Sequence, residues 1–299
     1  MTLPATNGHS FRWLIPWLVS FTLWSGCSLR PLQQQPIGDL VDRHSDSRID
    51  GMVGGVLRRT AEAHETYSTG FPRTEITVLE LGEIELIWAE QKTGVVIGAP
   101  HGTFDPYTAA TVREICRHSG LAGVIASGFT PAETGDGRRI NVNRPTERHV
   151  ALSDREIETP RATATYEQFK NSVLRAARGK LALYIDIHQN SGTRIEVATV
   201  RLSKTDARFV KDFYRALRDS ALAENPNMVS VELAIEPLDP IEVGAWAAKT
   251  NGILAVAERS LHFELPSEGA MASERQRSIY TAILAELIRR ISARASEVN

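Results

Sequence analysis

From Glu75 onward the chain alternates short apolar runs with amphipathic ones. ITVLEL and IELIWAE lie on either side of Gly82 and predict a hairpin. GVVIGAP, residues 94–100, is continuously apolar, as in a strand buried on both faces. LAGVIAS (121–127) and LALYIDI (181–187) have the same character, and IEVATVRL, SVELAIE, GILAVAE and SLHFEL read as further strands. Helical spacing falls between them, at 106–118 with Pro106 in the first turn, 161–178, 206–224, 241–250 and 273–295. Residues 128–160 are rich in Gly, Pro, Arg and Asn and predict one long irregular stretch, a length that in a compact domain usually serves function. This alternation predicts an α/β fold, a mixed, mostly parallel sheet with helices on both faces.

The first residues follow another pattern. Arg12 precedes the apolar run Trp13–Trp24, which is well short of the ~20 residues that span a bilayer. Leu23-Trp24-Ser25-Gly26-Cys27 then resembles a bacterial lipobox, in which the cysteine is lipidated. The expectation is a signal peptide over 1–27, lipidation at Cys27 and a cell-envelope lipoprotein held to a membrane by its lipid anchor. Ser28 suits the periplasmic face of the outer membrane if the source is Gram-negative. A plain secretory signal and an uncleaved anchor remain as alternatives. Residues 28–72 read as a polar tether with a short amphipathic helix from about Val53 to Thr66, and 73–299 as the catalytic domain.

Composition narrows the class. The chain of 299 residues is 42% hydrophobic with a net charge of −2, an ordinary globular balance. That balance and the lack of a basic stripe argue against nucleic acid as a partner. With Cys27 in the processing signal, Cys116 stands alone and reads as a small buried hydrophobe, not part of a disulfide framework.

Three polar clusters fall at predicted strand ends, where ligands of such sheets bind. In Ala99-Pro100-His101-Gly102-Thr103-Phe104-Asp105, His101 follows a buried strand directly, and Gly102 permits close backbone approach. In Tyr184-Ile185-Asp186-Ile187-His188-Gln189, Asp186 and His188 alternate with apolar residues and share one face. In Leu261-His262-Phe263-Glu264-Leu265, the same holds for His262 and Glu264. Two strand-end histidines plus a carboxylate suit a zinc ion that keeps one position open, with a further carboxylate to take a proton from water. Arg138, Arg139, Arg144 and Arg148 gather cations in the long irregular stretch, and a guanidinium fork suits a substrate carboxylate.

GVVIGAPHGTFDPYTAATVREI, RRINVNRP and LYIDIHQNSG, in that order, resemble the N-formylglutamate amidohydrolases, over about Ile84 to Arg290. That family is similar in fold to zinc carboxypeptidases and aspartoacylases, so the resemblance implies a hydrolase fold of the zinc exopeptidase type. It also implies His101 and His188 as metal ligands, Asn143 and Arg144 with Arg139 as substrate-binding residues, and Glu264 as general base. In the related enzymes the acidic ligand is a Glu three residues after the first His. Here that position is Phe104, and Asp105 one residue later is the candidate ligand. If it does not serve, Asp105 would cap the following helix. Asp186 could itself be a ligand but is expected to support His188 from behind, and His262 either assists Glu264 or is a structural polar residue. The implied reaction is hydrolysis of an amide bond next to a carboxylate, on a small anionic N-formyl- or N-acyl-amino acid or peptide. A peptidoglycan amidase, suggested by IDIHQNS and export, and a non-catalytic envelope binding protein are the alternatives.

Overall fold

The computed structural model describes residues 72–297, apart from 92 and 154. The expected leader, Cys27, the tether and the helix from Val53 to Thr66 lie outside the described residues. Among the described residues no helix is long and apolar enough to cross a membrane.

The hairpin around Gly82 forms as β1 (Thr74–Leu79) and β2 (Gly82–Ile87). It joins an eight-stranded sheet with β3 (Val95–Ala99), β4 (Ala122–Gly128), β8 (Leu183–Asn190), β9 (Ile195–Val200), β10 (Leu233–Ile235) and β11 (Arg259–Pro266). The order is β1-β2-β4-β3-β8-β11-β9-β10. β4, β3, β8 and β11 run parallel, as do β9 and β10, while β1–β2, β2–β4 and β11–β9 are antiparallel.

The period-two pattern divides the side chains between two layers. On one face Ile97, Ile185, Ile187, Leu261, Phe263 and Leu265 pack with α1 (Thr108–Ser119), α4 (Lys204–Glu224) and α6 (Glu274–Glu297). Cys116 is buried in this layer. On the other face Val96, Val124 and Tyr184 pack with α3 (Pro160–Ala177), which Thr159 caps by accepting from Ala162 N. The sheet is therefore mixed and mostly parallel, with helices on both faces.

Three local expectations are corrected. The helix expected from Pro106 begins at Thr108, because Tyr107 sits in the left-handed region at φ 70°. GILAVAE is no strand but a 3-10 turn, Ile253–Ala255, after a short helix α5 (Trp246–Asn251). Its apolar residues bury under the α3 face, and β8 is already flanked on both edges. The stretch 128–160 is ordered. It holds the helical turn α2 (Pro131–Thr134) and a second, antiparallel sheet of β5 (Arg138–Asn141), β6 (Thr146–His149) and β7 (Ile157–Glu158).

Candidate metal centre

Along β8 and β11 the residues on the α3 face turn from apolar to ionisable towards the carboxyl ends. On β8 this face carries Tyr184, Asp186 and His188; on β11 it carries Ser260, His262 and Glu264. The parallel register sets His262 beside Asp186 and Glu264 beside His188. His101 arrives from the end of β3, the other neighbour of β8. Gly102 makes this turn possible: its N–H donates to Ala126 O at 2.9 Å, and a Cβ there would lie 2.8 Å from that same oxygen.

The result is a buried row of alternating imidazoles and carboxylates. Asp105 Oδ2 lies 3.3 Å from His101 Nδ1 and 3.1 Å from His188 Nδ1. On its far side His188 donates from Nε2 to Asp186 Oδ2 at 2.8 Å. That oxygen is also 3.3 Å from His262 Nδ1, and His262 Nε2 is 3.0 Å from Glu264 Oε1. Tyr184 donates to Asp186 Oδ1 at 2.8 Å. Asp105 therefore does not cap α1; its carboxylate faces the two histidines, and its backbone oxygen accepts from Thr108 Oγ1 at 2.9 Å.

Charge follows from this packing. Burial pushes His101 down to about 4, only partly offset by Asp105. Burial also disfavours charge on His188, but Asp186, Asp105 and Glu264 outweigh it and raise its pKa to about 10. Burial would raise both Asp105 and Asp186; the imidazoles beside them win and hold each carboxyl well below the usual range.

His101, Asp105 and His188 offer three donor atoms within 4.8 Å of one another, a set that could hold a metal ion. The spacing fits: ligands about 2.0–2.1 Å from a tetrahedral zinc stand about 3.3 Å apart, close to the two distances at Asp105 Oδ2. His101 Nε2 is buried with no hydrogen-bond partner among the described residues; the ring is held by Asp105 and by edge-on contact with His188, centroids 4.8 Å apart. Asp186, His188 and His262 form a second such set. Asp186 is fully enclosed there, and Tyr184 and His188 already engage both its oxygens. The first set is the better candidate, because His188 Nε2–H donates to Asp186 behind it, the arrangement that orients metal-bound histidines.

The long stretch brings in the arginines. Arg139 is buried, its Cζ 4.3 Å over the ring of Phe104, and donates from Nη2 to Asn141 Oδ1 at 2.7 Å. Arg144 is already engaged. Its Nε donates to Glu156 Oε2 at 2.8 Å, its Nη2 to Glu156 Oε1, and its Nη1 to Asn143 Oδ1 at 2.9 Å. Asn143 is buried, and its backbone oxygen accepts from Ile253 N. The sequence reading missed Tyr184, Phe104, Asn141 and Glu156. Tyr184 carried a signal, since it shares the period-two face of Asp186 and His188. Glu156 carried none, because its role depends on a chain reversal between β6 and β7.

No known family model matches the chain, and no curated protein sequence does. Similar solved structures exist. A bacteriophage poly-gamma-glutamate hydrolase is 12% identical with a TM-score of 0.43, covering 75% of this chain and 93% of its own. A metallo-carboxypeptidase from Burkholderia cenocepacia is 11% identical with a TM-score of 0.43, covering 79% and 68%. A succinylglutamate desuccinylase from Vibrio parahaemolyticus is 15% identical with a TM-score of 0.39, covering 76% and 68%. At these identities and overlaps the likenesses carry no chemistry over to this chain.

Proposed function

We propose that this chain is a zinc-dependent hydrolase that cleaves an amide bond next to a carboxylate, in the manner of the N-formylglutamate amidohydrolases its motifs resemble. The convergence of His101 Nδ1, Asp105 Oδ2 and His188 Nδ1 at metal-ligand spacing carries the reading. These three residues would hold the ion, which when bound supplies Lewis acidity to a carbonyl and to water. Asp186, itself fixed by Tyr184, keeps His188 in one ring orientation. Glu264 stands beside His188 in the register of β8 and β11. His262 occupies its Oε1, and Oε2 has no hydrogen-bond partner among the described residues. Oε2 is thus the atom to take a proton from water and return it to the leaving nitrogen. The arginines of the second sheet suit a carboxylate on the substrate. The lipobox-like Ser25-Gly26-Cys27 supports export and a lipid anchor, which would place this chemistry in the cell envelope.

Elemental analysis of the purified full-length protein tests the reading: about one zinc per chain is expected, with loss in both His101→Ala and His188→Ala. Near-zero metal in the wild type would overturn it. Amine release from N-formylglutamate and from purified peptidoglycan then separates the small-substrate hydrolase from the cell-wall amidase.

A further inference from the structure

Asp105-Pro106 has the form of a helix start. Asp is a preferred N-cap and Pro a preferred first helical residue, so α1 is expected to begin at Pro106 with the Asp105 carboxylate accepting from a backbone N–H of the first turn. The structure forgoes this cap. α1 begins at Thr108, its N-cap is Tyr107, no side chain caps it, and its first turn holds no acid. Tyr107 has φ 70° and ψ −10°, a left-handed conformation that is unfavourable for a bulky residue with a Cβ. An uncapped helix end and a strained turn thus fall at one point of the chain. Strain of this kind persists only where the surroundings enforce it.

The Asp105 carboxylate, released from α1, faces His101 Nδ1 and His188 Nδ1 instead. Its backbone is fixed on both sides. Asp105 N donates to His101 O at 2.7 Å, and Asp105 O accepts from Thr108 Oγ1 at 2.9 Å and from Thr108 N at 3.3 Å. A hold on Tyr107 comes from another element. Arg277, near the start of α6, has its Cζ 3.8 Å from the centroid of the Tyr107 ring, and its Nη1 donates to Met271 O at 3.2 Å. Tyr107 is 47% exposed, so this cation–π contact holds its ring more than burial does.

We propose that Tyr107, held by Arg277, is the positioning residue that keeps Asp105 turned toward His101 and His188 and off the start of α1. Without the Arg277 contact Tyr107 returns to a helical φ, α1 extends back to Pro106, and the Asp105 side chain caps it. Only the uncapped form presents Asp105 as a ligand, so metal affinity scales with the fraction of chains in that form. The inference rests on the proposed hydrolase reading for its consequence at the metal, but not for the choice between the two turns.

The test is zinc affinity of the full-length protein, by competition with a chromophoric chelator, beside urea unfolding and hydrogen exchange of the metal-free form. Tyr107→Ala removes the ring and keeps the Cβ, so it should lower zinc affinity at least ~10-fold while the metal-free protein stays as stable as wild type or gains stability. Arg277→Gln should act in the same direction, by ~3- to 10-fold, whereas Tyr107→Phe keeps a ring for the cation and should stay within ~2-fold of wild type. Exchange at Thr108 N–H, a group the Asp105 cap would protect, should slow in metal-free Tyr107→Ala. Zinc affinity unchanged in both Tyr107→Ala and Arg277→Gln overturns the proposal, as does a loss of affinity matched by an equal loss of metal-free stability, since the turn is then merely structural. A wild type that binds no zinc sinks the hydrolase reading; slower exchange at Thr108 in Tyr107→Ala would then keep the turn assignment, and unchanged exchange would overturn that as well.

Discussion

At the scale of single residues, the proposed roles separate holding from proton transfer. Glu264 is predicted to act only as the reaction proceeds, so Glu264→Gln should lower kcat at least ~100-fold while metal content stays at the wild-type level. Steady-state kinetics with elemental analysis checks both halves; a large loss of metal would make Glu264 a ligand. Gly98 tests the support behind His188. A Cβ there would fall 1.9 Å from the Tyr184 hydroxyl, the group that donates to Asp186 Oδ1. Gly98→Ala should therefore displace Tyr184, destabilise the protein by about 1–3 kcal/mol through overpacking, and weaken metal affinity. Tyr184→Phe removes the same hydrogen bond without overpacking. It should reduce metal affinity with a smaller change in the urea midpoint, and equal affinity in wild type and Tyr184→Phe would show that Asp186 needs no such support.

At the scale of elements, the second sheet is held to its turn by the Arg144–Glu156 pair, in which Glu156 is drawn down to about 2 against a burial effect that would raise it. A depressed carboxylate stabilises the fold above its unfolded pKa, near 4.5, and loses that contribution as pH falls through about 2. Urea unfolding of wild type and Glu156→Gln should differ at pH 6 and converge as the pH drops through that window. A constant difference down to the lower limit would mean the pair does not carry the effect. The element scale is also where the sequence was hardest to read. β5, β6 and β7 are short, between two and four residues, and rich in Arg, Asn and Glu, so no apolar period marks them. GILAVAE failed in the opposite way: its composition suits a strand, but its apolar residues are buried in the layer under α3 as a 3-10 turn.

At the scale of the whole molecule, metal and membrane each give a test. An ion that binds only the folded chain stabilises it by about 2.7 kcal/mol at a hundredfold excess over Kd. At roughly 2–4 °C per kcal/mol for a fold of this size, chelation should lower Tm by roughly 5–10 °C. Scanning calorimetry with and without chelator checks this, and identical transitions would speak against a resident metal. Cys27→Ser is expected to release the protein from membranes with a matching change in mature mass; unchanged fractionation and mass would favour an uncleaved anchor.

What the sequence by itself determined was the frame of the fold. The apolar runs at 94–100, 121–127 and 181–187, bounded by turn residues, read as buried strands, and alternating polarity on β8 and β11 puts Asp186, His188, His262 and Glu264 on one face. Tertiary structure alone decided which of them meet. Sequence leaves Asp105 equally able to cap a helix, and only the return of β8 beside β3 puts His188 against its carboxylate. The sequence made Arg144 the main substrate-binding arginine, with Arg139 a helper in the same basic stretch. The antiparallel turns give Glu156 to Arg144, which makes it a neutralised cation, and leave Arg139 buried beside Arg148, with Nε lacking a hydrogen-bond partner among the described residues. Local periodicity reports which way a side chain points, whereas the partners that set its charge and its role come from residues distant in the chain.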